Sequence, residues 1–221
     1  MNGNEFQKVK DFLNRTLDAF AISYKYSADR VAVVSHGLPE AKRNEMKSEF
    51  GLLSYNTKDL MKAYVTKSIQ QFNGEPAVGS AMEWMIKNIF LKATSSRKHK
   101  VIIVVSAGET SEWNKEMLKK AALEAKCRGY ALFVISAGQS YNSYELEELA
   151  SVPLAQHLIQ LGRIHKPELD YAAKLINVFV HLLRSSSNSY PPENLKERCS
   201  TLSLQRADLL VMEPRLLMTG N

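Results

Sequence analysis

Apolar residues along this chain recur with two alternating periods. Phe6, Val9, Leu13, Leu17 and Phe20 return at helical spacing, which predicts an amphipathic helix over about 4–22. Arg30-Val31-Ala32-Val33-Val34-Ser35 is short and β-branched and predicts a strand. Glu49-Phe50-Gly51-Leu52-Leu53 predicts a second, weaker strand. Asn56 or Thr57 can cap a helix running to about Phe72, with Leu60, Tyr64 and Ile69 near one face. Asn73-Gly74-Glu75-Pro76 reads as a loop, and the helix after it turns Met82, Met85, Ile86 and Ile89 inward. The run 101–105 is the most apolar strand, as expected for one covered on both faces.

The second half repeats the alternation. A lysine-rich helix over 113–128 stops at Gly129, and Tyr130-Ala131-Leu132-Phe133-Val134-Ile135 is another buried strand. Tyr144 to Leu149 makes a short helix, and His157-Leu158-Ile159-Gln160-Leu161 an edge strand. Pro167 can start a last helix with Leu169, Ala172, Leu175, Ile176 and Phe179 on its face. Strands alternating with helices predict an α/β fold: a doubly wound, mostly parallel sheet with helices on both faces. From Ser185 the pattern stops. Ser185-Ser186-Ser187-Asn188-Ser189-Tyr190-Pro191-Pro192 is a linker signal, and the tail beyond has one apolar stretch, Leu209-Leu210-Val211-Met212. The expected organisation is one domain over 1–184, then a linker and disordered tail over 185–221.

Composition adds a few bounds. A length of 221 residues holds one α/β domain of roughly 180 residues plus a tail. The net charge of +6 permits acidic partners such as sulfated glycans, anionic lipids or nucleic acid. Both signs are interspersed, so a solvated surface is the better reading and a nucleic-acid groove the poorer one. The same holds for the basic residues Arg97-Lys98-His99-Lys100 and Lys115, Lys119, Lys120, Lys126 and Arg128. No apolar run approaches the roughly 18–20 residues that span a bilayer. Met1-Asn2-Gly3-Asn4-Glu5 leads straight into the first amphipathic pattern, without a secretory signal, so as it stands the chain reads as not exported; read as a fragment, it says nothing of its parent. Cys127 and Cys199 have no metal spacing. Cys127 reads as a small, partly buried apolar residue, and a bridge to Cys199 requires an oxidising compartment.

Candidate chemistry is thin. In α/β sheets ligands bind at the carboxyl ends of the strands, here the loop Ser106-Ala107-Gly108-Glu109-Thr110. A metal or catalytic site wants a carboxylate there, and the methyl group of Ala107 neither holds a cation nor moves a proton. Ser106 and Ser136 end apolar strands but lie outside any G-x-S-x-G, so both read as loop serines. His36, His99, His157, His165 and His181 show no paired ligand spacing and read as surface or packing residues. No glycine-rich phosphate loop follows a strand. Asn14-Arg15-Thr16 is a glycosylation sequon inside a predicted helix, which argues against its occupancy. Trp84 and Trp113 read as packing residues, with Trp113 also placed to anchor a partner.

Four stretches together resemble one family. Glu5-Phe6-Gln7-Lys8-Val9-Lys10-Asp11-Phe12-Leu13 looks like the first helix of a von Willebrand factor type A domain, and Asp29-Arg30-Val31-Ala32-Val33-Val34 like its second strand. Val78-Gly79-Ser80-Ala81-Met82 is similar to the family's TGxAL element, and Val104-Val105-Ser106-Ala107-Gly108 to its VTDG element. The flavour is that of the collagen VI chains, and the resemblance covers about 1–184.

The resemblance implies a non-catalytic protein-interaction module of extracellular matrix, supporting cell adhesion or matrix assembly. Its partners would be matrix proteins or other collagen chains, with sulfated glycans as a further class. It also implies two departures. The family's first central strand, ending in an Asp-x-Ser-x-Ser loop, precedes the first residue here. Its loss leaves a slot about 9–10 Å wide between the strands 30–35 and 101–105, filled by an upstream segment of a longer parent or by the apolar run 209–212. The family's metal threonine and aspartate align with Pro76 and Ala107, so no specific metal and no other cofactor is expected. Glu75 and Glu109 could stand in as carboxylates but read as solvated loop residues. Glu75, Ser106, Glu109 and Trp113 are the candidate partner contacts. Two other readings remain: a basic module for glycosaminoglycan or nucleic acid, and a doubly wound enzyme or nucleotide binder without a familiar motif.

Overall fold

A computed structural model of the chain describes residues 3–23, 29–37, 46–94, 97–106, 108–137, 141–160 and 168–202. Its backbone follows the alternation of the sequence: α1 (Gly3–Thr16), β1 (Val33–Ser35), β2 (Lys47–Phe50), α2 (Lys58–Lys67), α3 (Val78–Met85), β3 (Val101–Ser106), α4 (Lys115–Cys127), β4 (Ala131–Ser136), α5 (Ser143–Leu149), α6 (Leu154–His157), β5 (Leu158–Gln160) and α7 (Glu168–Arg184). Strands β3, β4 and β5 form a parallel sheet in that order, with Val101 opposite Ala131 and Ser106 opposite Ser136. β1 and β2 form a separate antiparallel pair.

Helices cover both faces, because parallel strands are apolar on both sides. On one face Met82 and Ile86, with Leu118, Ala121 and Ala125 of α4, pack on Ile102, Val104, Leu132 and Val134. On the other, Phe12 of α1 and Ala172, Ile176 and Phe179 of α7 pack on Ala131, Phe133, Ile135 and Ile159. A third cluster, Leu17, Phe50, Met61 and Val65, seats α2 beside β2.

Several boundaries differ from the sequence reading. The strand expected at 49–53 is Lys47–Phe50, and Gly51 starts a turn closed by its N–H donating to Ser54 Oγ at 2.9 Å. Thr57 caps α2 by accepting from the Leu60 amide, but the helix stops at Lys67 rather than Phe72. A single π-helical turn, Ile86–Phe90, follows α3. It keeps Ile86 and Ile89 buried and leaves Met85 partly exposed. His157 closes α6 rather than opening the edge strand, and Leu161, Pro167 and the Leu169 side chain lie outside the described residues.

One burial expectation is met only in part. β3 was expected to be covered on both faces, yet Val101, Ile103 and Val105 are only half-buried while all six residues of β4 are buried. β4 has a hydrogen-bonded neighbour on each side, and β3 has one on its β4 side alone among the described strands.

Cys127 is likewise not an unpaired apolar residue. It forms a disulfide with Cys199, with 5.3 Å between their α-carbons and a sequence separation of 72. Residues 185–202 accordingly return to the domain. Asn188 Nδ2 donates to Gln156 Oε1 at 2.7 Å, and Tyr190 Oη donates to His157 Nε2 at 2.6 Å. A 3-10 turn, Glu193–Leu195, then leads into helical residues that carry Cys199. Gly129, at φ +77, lets this segment pass: a β-carbon there would meet the Tyr190 carbonyl at 3.0 Å.

Candidate functional site

The carboxyl ends of β3 and β4 point to one loop face. Segments 74–77, 108–114 and 141–145 meet there and are tied to one another by their own polar groups. Ser111 donates its amide to the Pro76 carbonyl at 2.9 Å. Thr110 Oγ1 accepts from the first amide of α3, Val78, at 3.1 Å. Asn114 Oδ1 takes the next two, Gly79 at 2.7 Å and Ser80 at 3.2 Å, while its Nδ2 donates to Ser80 Oγ at 2.6 Å. Three orphan amides of a helix start are thus satisfied by residues over 30 positions away.

The carboxylates are engaged in the same way. Glu75 Oε2 accepts the indole N–H of Trp113 at 2.7 Å. Glu109 Oε1 lies 2.8 Å from Lys115 Nζ and accepts from Asn142 Nδ2 at 3.0 Å. These bonds hold its carboxyl below the usual range, with Lys115 the larger cause. Lys115 also pairs with Glu112 at 2.6 Å, and the Glu109 and Glu112 contacts keep its ammonium charged well above the ordinary lysine range. Glu145 accepts the Thr110 amide on both oxygens, at 3.0 and 3.1 Å, while burial pushes its carboxyl up. His36, just past β1, accepts the Ala77 amide on Nδ1 at 3.3 Å, and burial lowers its pKa.

Of the sequence candidates, the structure joins Glu75 to Trp113 and sets Glu109 in a neighbouring ion cluster around Lys115. Trp113 keeps 40% exposure while its indole N–H is held by Glu75. Ser106 is not part of this surface. It is buried, and its hydroxyl donates to its own loop, to the Gly108 carbonyl at 2.6 Å. Ala107 lies outside the described residues. Thr110, Asn114, Asn142 and Glu145 were missed by the sequence reading. Asn114 and Asn142 each precede a helix, a capping signal. Only Asn142 caps its own helix, accepting from the Tyr144 and Glu145 amides; Asn114 caps α3 across space.

Pro76 offers only a carbonyl that is already an acceptor, and Glu75, Glu109 and Glu145 each hold donors of this chain. Among the described residues no cluster of three His, Cys, Asp or Glu is placed to hold an ion. The sequon at Asn14 is also committed: its Nδ2 donates to Thr66 Oγ1 at 3.0 Å across the α1–α2 contact.

A helix-covered sheet whose strand ends carry a loop face defines a class, the doubly wound α/β domain. The model of the von Willebrand factor type A domain matches residues 1–166, and the chain belongs to that family. It is 47% identical over 206 residues to the mouse collagen alpha-6(VI) chain, covering 90% of this chain and 9% of that one. It is 44% identical over 213 residues to the mouse collagen alpha-5(VI) chain, covering 94% and 8%. The chain therefore spans less than a tenth of these collagen VI relatives. Among solved structures, proximal thread matrix protein 1 of the mussel byssus, in a form with a zinc-occupied MIDAS motif, matches 82% of this chain and 41% of its own at 20% identity and a TM-score of 0.64. Manganese-loaded TRAP protein of Plasmodium vivax matches 78% and 65% at 18% identity and a TM-score of 0.59. Both likenesses speak to the fold. No helix among the described residues is long and apolar enough to cross a membrane.

Proposed function

We propose that this domain is a non-catalytic protein-interaction module of an extracellular matrix protein of the collagen VI kind, supporting cell adhesion or matrix assembly through a face that needs no cation. The observation that carries this reading is the internal engagement of the loop-face carboxylates. A carboxylate that accepts from Trp113, or from Lys115 and Asn142, must give up those bonds before it can serve a metal. Trp113, 40% exposed as a residue, is the aromatic anchor in this reading, the kind of residue that dominates interface energetics. The Cys127–Cys199 disulfide supports an oxidising, extracellular setting. The collagen VI relatives supply the matrix context and the partner class, other matrix or collagen chains.

The test is binding of the chain to immobilised native collagen VI, with Mg²⁺ and with EDTA. The expected binding is equal in both and falls at least tenfold in Trp113→Ala, whose urea midpoint stays unchanged. Binding that disappears in EDTA overturns the cation-free reading. Binding that ignores Trp113 but falls steeply with salt favours the sulfated-glycan reading instead.

A further inference from the structure

A cleft of about 390 Å³ lies between the end of α4, α5, the start of α6 and the returning segment 192–198. Two cations line it, Lys126 and Arg198, and each immediately precedes a cysteine of the Cys127–Cys199 bridge. The bridge, with 5.3 Å between its α-carbons, therefore draws two like charges together. Lys126 is half-buried, and its ammonium donates to the Glu148 carbonyl near the end of α5 at 2.5 Å. Among the described residues no carboxylate stands within ion-pair reach, 4.0 Å, of either cation. Nearby cations differ: Lys115, Lys119 and Arg128 are each paired with a glutamate. Burial lowers the pKa of Lys126, the Glu148 charge raises it, and Arg198 lowers it again. A half-buried cation held beside another without a counter-ion is an arrangement that an incoming anion relieves.

We propose that this cleft binds an acidic peptide segment of a partner protein, with a carboxylate seated between Lys126 and Arg198 and the adjoining apolar side chains on the cleft walls. The walls supply the second half of the match. Val152, Leu154 and Leu195 line the cleft with the cations, and Tyr144, 85% exposed, borders it. A bare oxyanion would use the charges and leave those walls in water, whereas a peptide covers both. The volume falls within the roughly 300–1,000 Å³ of small-ligand sites. The Arg198 guanidinium is a planar fork that can take a carboxylate on two N–H groups, and Lys126 adds a point charge with donors to spare. Glu147 and Glu148 also border the cleft, but both are exposed, so water and salt screen their charges more than that of half-buried Lys126. The site depends on the disulfide, because reduction releases the covalent tie that holds the Arg198 wall against α4. It shares no residue with the Trp113 face and does not rest on that reading.

The test is an amide NMR titration of the full, oxidised chain with the blocked tripeptide leucyl-glutamyl-leucine and with its glutamine counterpart. The glutamate peptide is expected to shift the amides of 147–154 and 193–198 and to saturate them, and the glutamine peptide to bind at least tenfold more weakly. Arg198→Gln, a change on an exposed residue, and separately Lys126→Gln should each weaken the glutamate peptide at least tenfold, with Lys119→Gln as the unaffected control. Reductant should abolish the binding while the amides of β3 and β4 keep their folded positions. Trp113→Ala should leave it unchanged, so failure at this cleft and failure at the loop face are read separately. Equal affinity for the two peptides, shifts that fall elsewhere, or full binding by Arg198→Gln overturns the proposal. Sodium sulfate that saturates the same amides at the peptide's concentration overturns the assignment to a peptide.

Discussion

Gly79 of α3 sits against the backbone of Leu118 in α4: a β-carbon on Gly79 would lie 2.2 Å from the Leu118 nitrogen and 2.6 Å from its α-carbon. Neither atom can swing away as a side chain could. Gly79→Ala is therefore expected to push α3 off α4 and to cost about 1–3 kcal/mol. Gly51→Ala, whose new carbon would meet only Ser54 Oγ at 3.6 Å, is the control and should stay within about 0.5 kcal/mol. Urea unfolding of the two variants beside the parent decides.

Asn114 joins two helices without capping its own. Its side chain is buried and satisfies two α3 amides and the Ser80 hydroxyl. Asn114→Ala leaves those amides unpaired in the interior. The expected loss is about 2 kcal/mol, measured as a lowered urea midpoint with an unchanged slope. An unaltered midpoint would show that water replaces the amide at no cost.

Breaking the Cys127–Cys199 bond frees a closed loop. For 72 residues the chain-entropy model sets a stabilisation of about 4 kcal/mol, and native removals commonly cost about 2–5. Reductant should lower the melting midpoint of the parent, and Cys127→Ser/Cys199→Ser should match the reduced parent and ignore reductant.

Two histidines, His157 buried and His36 partly buried, set the acid side of stability. His157 donates from Nδ1 to the Pro153 carbonyl and accepts from Tyr190, with its ring edge-on to Phe179, and Lys126 adds a like charge nearby. Burial is the main cause that lowers its pKa below 6.5, and the same cause lowers that of His36. Both groups bind fewer protons folded than unfolded near pH 6. Stability from their neutral forms is thus complete above about 6.5 and is lost as pH falls from there toward the folded values. Unfolding free energies measured between pH 7.5 and 5 should fall, with a shallower slope in His157→Phe. An equal slope in that variant would move the effect away from His157.

The fold was legible because its strands and helices are long enough to show their periods, as with Phe6 to Phe20 or the run 131–136. The half-burial of β3 was not, since a strand's composition records what it is built to be covered by and not which neighbours it has. At the loop face, position alone pointed to Glu75, Glu109 and Trp113; the structure bonds Glu75 to Trp113 and pairs Glu109 with Lys115. Ser106 was misread because a residue at a strand end faces the loop or the core according to local turning, which spacing does not encode. The Thr110–Val78 and Asn114–Gly79 bonds join residues more than 30 apart, and the pairing of Cys127 with Cys199 likewise leaves no local trace.

The disulfide also fixes how the domain carries load. A pull on the chain beyond Cys199 passes through the sulfur bridge into the end of α4, so β4, β5 and α7 sit off the line of tension. The sequence separation of 72 between the cysteines withholds about 250 Å of contour length from a stretched molecule until the bond is reduced. Under tension, this domain would lengthen in a short, limited step, with the segment between the cysteines kept in reserve behind one covalent link.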